Sequence, residues 1–146
     1  MANLIFIGSI FLVFVTIYML LFTKNAAKSY SDYVLSFLLL VHCWSVILFL
    51  ILYSEYILLF PHVFKTGLPL NFLIAPCSYL YVRAVLFNEK KFQKSDLIHL
   101  IPFVIVFINY IPFYLLPVNE KLIVIQNSLN YWPDTFKYQA GFLPEN

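Results

Sequence analysis

Charge is scarce in this chain: 11% of its residues are charged and 62% are hydrophobic, where a soluble domain has about 25% and about 45–50%. Too little polar surface is present to cover a water-soluble globule of 146 residues, and lipid is the missing solvent. Arginine occurs once, at Arg83, and the nine Lys and Arg residues form no patch on a polar face. That argues against nucleic acid bound by this chain itself. The two cysteines, Cys43 and Cys77, each sit inside an apolar run. They read as small packing residues, with a redox or palmitoylation role as the alternative. Carboxylates are missing where membrane chemistry would need them. Asp32, Glu55, Glu89, Asp96, Glu120, Asp134 and Glu145 fall in caps, connectors or the tail, so the bilayer interior lacks the acids of proton relays and hydrolytic sites, and no enzyme is expected. The histidines, His42, His62 and His99, are not grouped as a metal-ligand set, and neither a metal nor a cofactor is expected.

What the chain has in abundance is apolar runs of membrane length. Leu4 to Phe22 is uninterrupted and flanked by Asn3 and Lys24; Met-Ala-Asn supplies no positive side chain for a signal peptide, so this reads as an uncleaved first span. Gly8, Ser9 and Thr16 are its positions for close approach by neighbours. Ser29-x-x-Asp32 has the form of a capping box, starting a second helix near Tyr30 that reaches Tyr53. His42 stands near its midpoint, either as interhelical polar glue or as a ligand or proton group. Ser54 to Thr66 is too short and punctuated for a span and is expected partly in the interface.

A third span over 68–87 contains Pro69 and Pro76 and ends with Tyr79, Tyr81 and Arg83, where ring hydroxyls and a snorkelling cation would meet the headgroups. Pro76 removes an amide donor and frees the carbonyl of Phe72, so a kink is expected there, with Asn71, Ala75 and Ser78 as candidates for the packed face. Ser95-Asp96 opens a fourth span over 96–116 with a cap and a first-turn carboxylate. Pro102 and Pro112 interrupt it, and His99 lies close to the headgroups. Leu122, Ile125, Leu129 and Trp132 fall at helical spacing with Asn119 as a cap, predicting a short interfacial amphipathic helix with a Tyr131-Trp132 anchor. The expected fold is therefore an all-α membrane protein: a transmembrane domain over 1–116 with spans at about 4–22, 32–53, 68–87 and 96–116, then an interfacial segment and connector over 117–146. Lys24, Lys28, Arg83, Lys90, Lys91 and Lys94 lie on one side, against Lys65, Lys121 and Lys137 on the other. The positive-inside rule puts the amino terminus, and with four spans residues 117–146, outside.

The central stretch also carries a resemblance. Pro69-Leu70-x-Phe72-Leu73-Ile74-x-Pro76, then Tyr79-Leu80-Tyr81-Val82-Arg83, then Phe92-x-x-x-Asp96-Leu97-x-His99-x-x-Pro102-Phe103 resembles the membrane half of bacterial AraC-type transcriptional regulators with a multi-pass amino-terminal domain. It covers about a quarter of the chain. Ala75 stands where that family commonly has Gly, and Leu100 where an aromatic is frequent. The resemblance implies a sensor and anchor in the inner (cytoplasmic) membrane, receiving a periplasmic or lipid-borne signal. Helix packing around Pro76 and Pro102 would relay that signal. His42, Pro69, Pro76, Tyr79, Tyr81, Arg83, His99 and Pro102 are the candidate coupling or packing residues, and a homodimer is compatible with the reading. It also implies an odd number of further spans beyond Asn146 and then a DNA-binding region with two helix-turn-helix units. The competing class is a small multi-pass transporter subunit or membrane enzyme, and a third possibility is a purely structural membrane subunit.

Overall fold

A computed structural model describes residues 2–23, 29–130 and 141–142. Among them the chain is helical, with no strand. Helix α1 (Ala2–Tyr18) continues into a single π turn, Met19–Thr23, and α2 spans Tyr30–Tyr53. Both are long and apolar enough to cross a membrane, with mean hydropathy 2.7 over Leu4–Phe22 and 2.6 over Tyr30–Tyr53. At the start of α2 the Asp32 carboxylate accepts the Ser29 amide at 3.1 Å, the cap expected from the spacing. Phe6 of α1 packs against Phe49 of α2 with ring centroids 5.6 Å apart. A Cβ on Gly8 would meet nothing within 4 Å outside its own helix, and Ser9 and Thr16 bond carbonyls of their own helix. The expected close approach at these positions is therefore not made among the described residues.

Where the third span is expected, the chain forms α3 (Gly67–Asn71) and α4 (Ile74–Leu86), and the pair from Pro61 onward is bent by 46°. Counted as one, the pair gives a third span. The break at Phe72-Leu73 lies one helical turn before Pro76, where the Phe72 carbonyl has lost its donor, and the chain tightens there through Phe72 N–H to Pro69 O at 3.0 Å and Leu73 N–H to Leu70 O at 2.9 Å. Asn71 Oδ1 accepts the Ser45 hydroxyl at 2.7 Å, and Trp44 Nε1 donates to Thr66 Oγ1 at 3.2 Å, so α2 is tied to this strut at two levels. Of the three positions expected on the packed face, Asn71 meets α2 through this bond although it is exposed, Ser78 is partly buried and Ala75 is exposed. Cys77 packs with Val41 and Leu73 in a buried cluster, and Cys43 is also buried and free.

The segment expected as a fourth helix over 96–116 is divided. A 3-10 stretch, Lys94–Leu100, is followed by α5 (Ile101–Asn109) and α6 (Ile111–Leu115). Pro102 and Pro112 each sit in the first turn of a new helix, where the missing N–H would have no partner anyway. They initiate segments here and do not interrupt one long helix. The cap of the 3-10 stretch is Gln93, two residues before the expected Ser95. Helix α7 (Val118–Asn130) is present, with Asn119 inside its first turn, so Asn119 does not cap it. The Tyr131-Trp132 anchor lies outside the described residues. Ile125 of α7 joins Ile57, Phe64, Tyr110 and Phe113 in a second core.

Because α4 runs back along α2, Tyr30 and Leu86 stand at one end of the bundle. The 54–66 turns, α6 and α7 gather at the other.

Candidate functional site

At the end of the bundle that holds the 88–95 connector, Glu89, Asp96 and Tyr79 converge on Arg83. Asn88 takes a left-handed conformation, φ 50°, which closes α4 with a bond from the Glu89 amide back to Ala84 O at 3.2 Å. That turn carries Glu89 under the preceding helical turn, where its Oε2 receives Arg83 Nε at 2.9 Å. The next capping turn supplies the second acid. Asp96 is completely buried, 0% exposed; its Oδ2 accepts the Gln93 amide at 2.8 Å and its Oδ1 lies 2.7 Å from Arg83 Nη2. The Nη2 and Oδ1 atoms form an ion pair whose angles fall short of a hydrogen bond.

Aromatic rings close the cluster. The Arg83 guanidinium stands 5.5 Å from the Tyr79 ring centroid, and Tyr79 meets the His99 ring edge-on at 5.0 Å. The Tyr30 hydroxyl at the start of α2 is buried with no hydrogen-bond partner among the described residues. Of the candidates named from the sequence, Tyr79, Arg83 and His99 are thus brought together. Arg83 is engaged by two carboxylates where a free snorkelling cation was expected. Tyr81 is partly buried on the same helix. His42 is exposed and its Nδ1 contacts Leu38 O at 3.1 Å, a bond within its own helix, so the interhelical glue expected of it is not formed among the described residues. Pro76 lies one turn beyond the α3–α4 break, and Pro102 starts α5.

Pro69 belongs to a different place, a cavity of about 350 Å³ at the opposite end, lined also by His62, Thr66, Leu70, Phe103, Phe107, Tyr114 and Lys121. Lys121 is 1% exposed. Its Nζ donates to Tyr114 O at 2.8 Å, stands 3.0 Å from His62 Nδ1 and lies 5.9 Å from the Phe113 ring centroid. Sequence reading placed Lys121 among the topology-setting charges on the outer side. Lys121, Ile125 and Ser128 share one face of α7 and all three are buried, a face too polar for apolar periodicity to mark it.

Among the described residues no group of three or more His, Cys, Asp or Glu side chains comes together as a metal site. No family model, curated protein or solved structure matches the chain.

Proposed function

We propose that the chain is the membrane sensor and anchor of a bacterial AraC-type transcriptional regulator, a four-span unit of the inner membrane with its amino terminus outside and its DNA-binding region outside these residues. In this reading the fourth span is the stack of the 3-10 stretch, α5 and α6. The partners are the bilayer, a periplasmic or lipid-borne signal and, for the DNA-binding region, DNA. The observation that carries the reading is the convergence of Tyr79, Arg83, Asp96 and His99, all positions of the quoted resemblance, in one cluster joining the end of α4 to the start of the next segment. A bent third span and a segmented fourth can change packing at their breaks, and the Arg83–Asp96 link transmits such a change between them.

The test compares transcripts in cells carrying the intact gene, a deletion, and Arg83→Gln at equal membrane abundance. Altered transcripts in the deletion, reproduced by Arg83→Gln, are expected. Unchanged transcripts, with a substrate flux or turnover by the purified chain, would overturn the reading in favour of a transporter subunit or enzyme.

A further inference from the structure

The cavity at the far end from Arg83 holds a cation with no acid beside it among the described residues. Lys121 is buried at 1% exposure, and the ion pairs among the described residues are made by Arg83 with Glu89 and Asp96. An ammonium has three N–H donors. Two are directed at Tyr114 O and His62 Nδ1, which leaves the third. Since an ammonium only donates, His62 Nδ1 is the acceptor in that contact. The remaining walls are apolar: Pro69, Leu70, Phe103 and Phe107. A buried, unpaired cation in an apolar pocket is unfavourable until an anion joins it.

We infer that this cavity binds a single-chain anionic amphiphile, its carboxylate or phosphate head on Lys121 Nζ and its hydrocarbon chain along Pro69, Leu70, Phe103 and Phe107. The volume of 350 Å³ lies within the range of ligand pockets, about 300–1,000 Å³, and the lining has their usual form, mostly apolar with a few convergent polar groups. An uncharged lipid would leave Lys121 unpaired, and an inorganic anion would leave the apolar walls uncovered. The amphiphile satisfies both. Leu70 and Phe103 also pack against the cluster of Val41, Leu73 and Cys77, so an occupied cavity presses on the bent α3–α4 strut. This inference goes beyond the regulatory reading and does not rest on it, because binding is measured on the chain alone.

Trp44 reports on the site through its bond to Thr66, a lining residue. The full chain, with Trp132 replaced by Phe and purified in uncharged detergent, is titrated with chain-brominated myristate, the matching brominated alkyl phosphate and the brominated alcohol, following quenching of Trp44. Saturable quenching by the acid or the phosphate, with the alcohol at least about tenfold weaker and Lys121→Gln losing at least about tenfold in affinity, is expected for a charge-assisted head contact. A preference for myristate points to free fatty acids as the source, and a preference for the phosphate to lysophospholipid-like heads; either supports the inference. Equal quenching by acid, phosphate and alcohol in the unsubstituted site overturns it, as does unchanged affinity in Lys121→Gln. The head-group comparison needs no variant at Lys121, so it decides the matter even if that substitution unfolds the chain.

Discussion

Arg83 Nη2 lies 2.7 Å from Asp96 Oδ1, while the other oxygen of the same carboxylate accepts the Gln93 amide at 2.8 Å. One fully buried acid therefore caps the turn that begins the next segment and pins that turn to the end of α4. Arg83 serves both neighbours because its fork presents Nε to Glu89 and Nη2 to Asp96.

A lysine offers a single point charge and cannot span both acids. Arg83→Lys should therefore lower the thermal midpoint of the detergent-solubilised chain, and Arg83→Leu should lower it further by leaving Asp96 buried and unpaired. In an Asp96→Asn background, which keeps an acceptor for the Gln93 amide, Arg83→Leu should cost less. A double-mutant cycle measures the coupling, and strict additivity would mean that Arg83 acts only as a membrane-edge anchor.

Pro76 is charged with the 46° bend because no amide at position 76 can reach the Phe72 carbonyl. Pro76→Ala restores the donor. The new amide should exchange as slowly as the adjacent Cys77 amide, which bonds Leu73 O at 2.9 Å, and the α3–α4 pair should straighten. An amide at 76 that exchanges freely would show that packing against α2, through Ser45–Asn71 and Trp44–Thr66, sets the bend by itself.

Gly67 and Gly8 make an internal control for helix approach. A Cβ on Gly67 would come within 2.6 Å of Leu48 Cδ1, whereas one on Gly8 meets nothing within 4 Å. Neither glycine has positive φ, so alanine fits both backbones and only the contact differs. Gly67→Ala should destabilise by about 1–3 kcal/mol, the usual cost of overpacking unless Leu48 rotates away. Gly8→Ala, exposed in a helix interior, should be neutral or stabilising by up to about 1 kcal/mol. Denaturation in matched detergent measures both, and a stabilised Gly67→Ala would show that the α2–α3 contact is loose.

The parts legible in the sequence are those set by local rules. The apolar length of Leu4–Phe22 and Tyr30–Tyr53 marks two spans without reference to any neighbour, the Ser29–Asp32 spacing marks a cap, and the proline at 76 marks a break at Phe72. The rest depends on what each segment meets. Pro102 and Pro112 interrupt a helix or begin one with the same residue pattern, and the fold chooses by where the chain turns. Asp96 is recognisable as a helix-start acid, yet its partner Arg83 belongs to another helix. Asp96 and His99 also lie three positions apart on one turn, a spacing that directs attention to this cluster. Lys121 counted as an outer-side charge, while its buried face with Ile125 emerges only once α7 docks on the 54–66 turns.

Topology follows from the same placement. Tyr30, Arg83 and the 88–95 connector share one end of the bundle, and α7 sits at the other, so Ser29 and Lys90 must face one side of the membrane and Glu120 the opposite side if 68–87 and 96–116 both cross. Burial of Lys121 weakens it as an outer-side charge and leaves the basic excess of Arg83, Lys90, Lys91 and Lys94 still more one-sided, which favours that end in the cytoplasm. In a background with Cys43 and Cys77 replaced by Ala, Ser29→Cys and Lys90→Cys should react with a membrane-impermeant maleimide only after the cells are opened, and Glu120→Cys should react in intact cells. Ser29, Lys90 and Glu120 are exposed, so failure to label reflects sidedness and not burial. Labelling of Lys90→Cys in intact cells reverses the orientation. If Ser29→Cys, Lys90→Cys and Glu120→Cys all stay unlabelled until the cells are opened, the bent α3–α4 pair crosses and the 96–116 segment does not, returning instead to the side it started from.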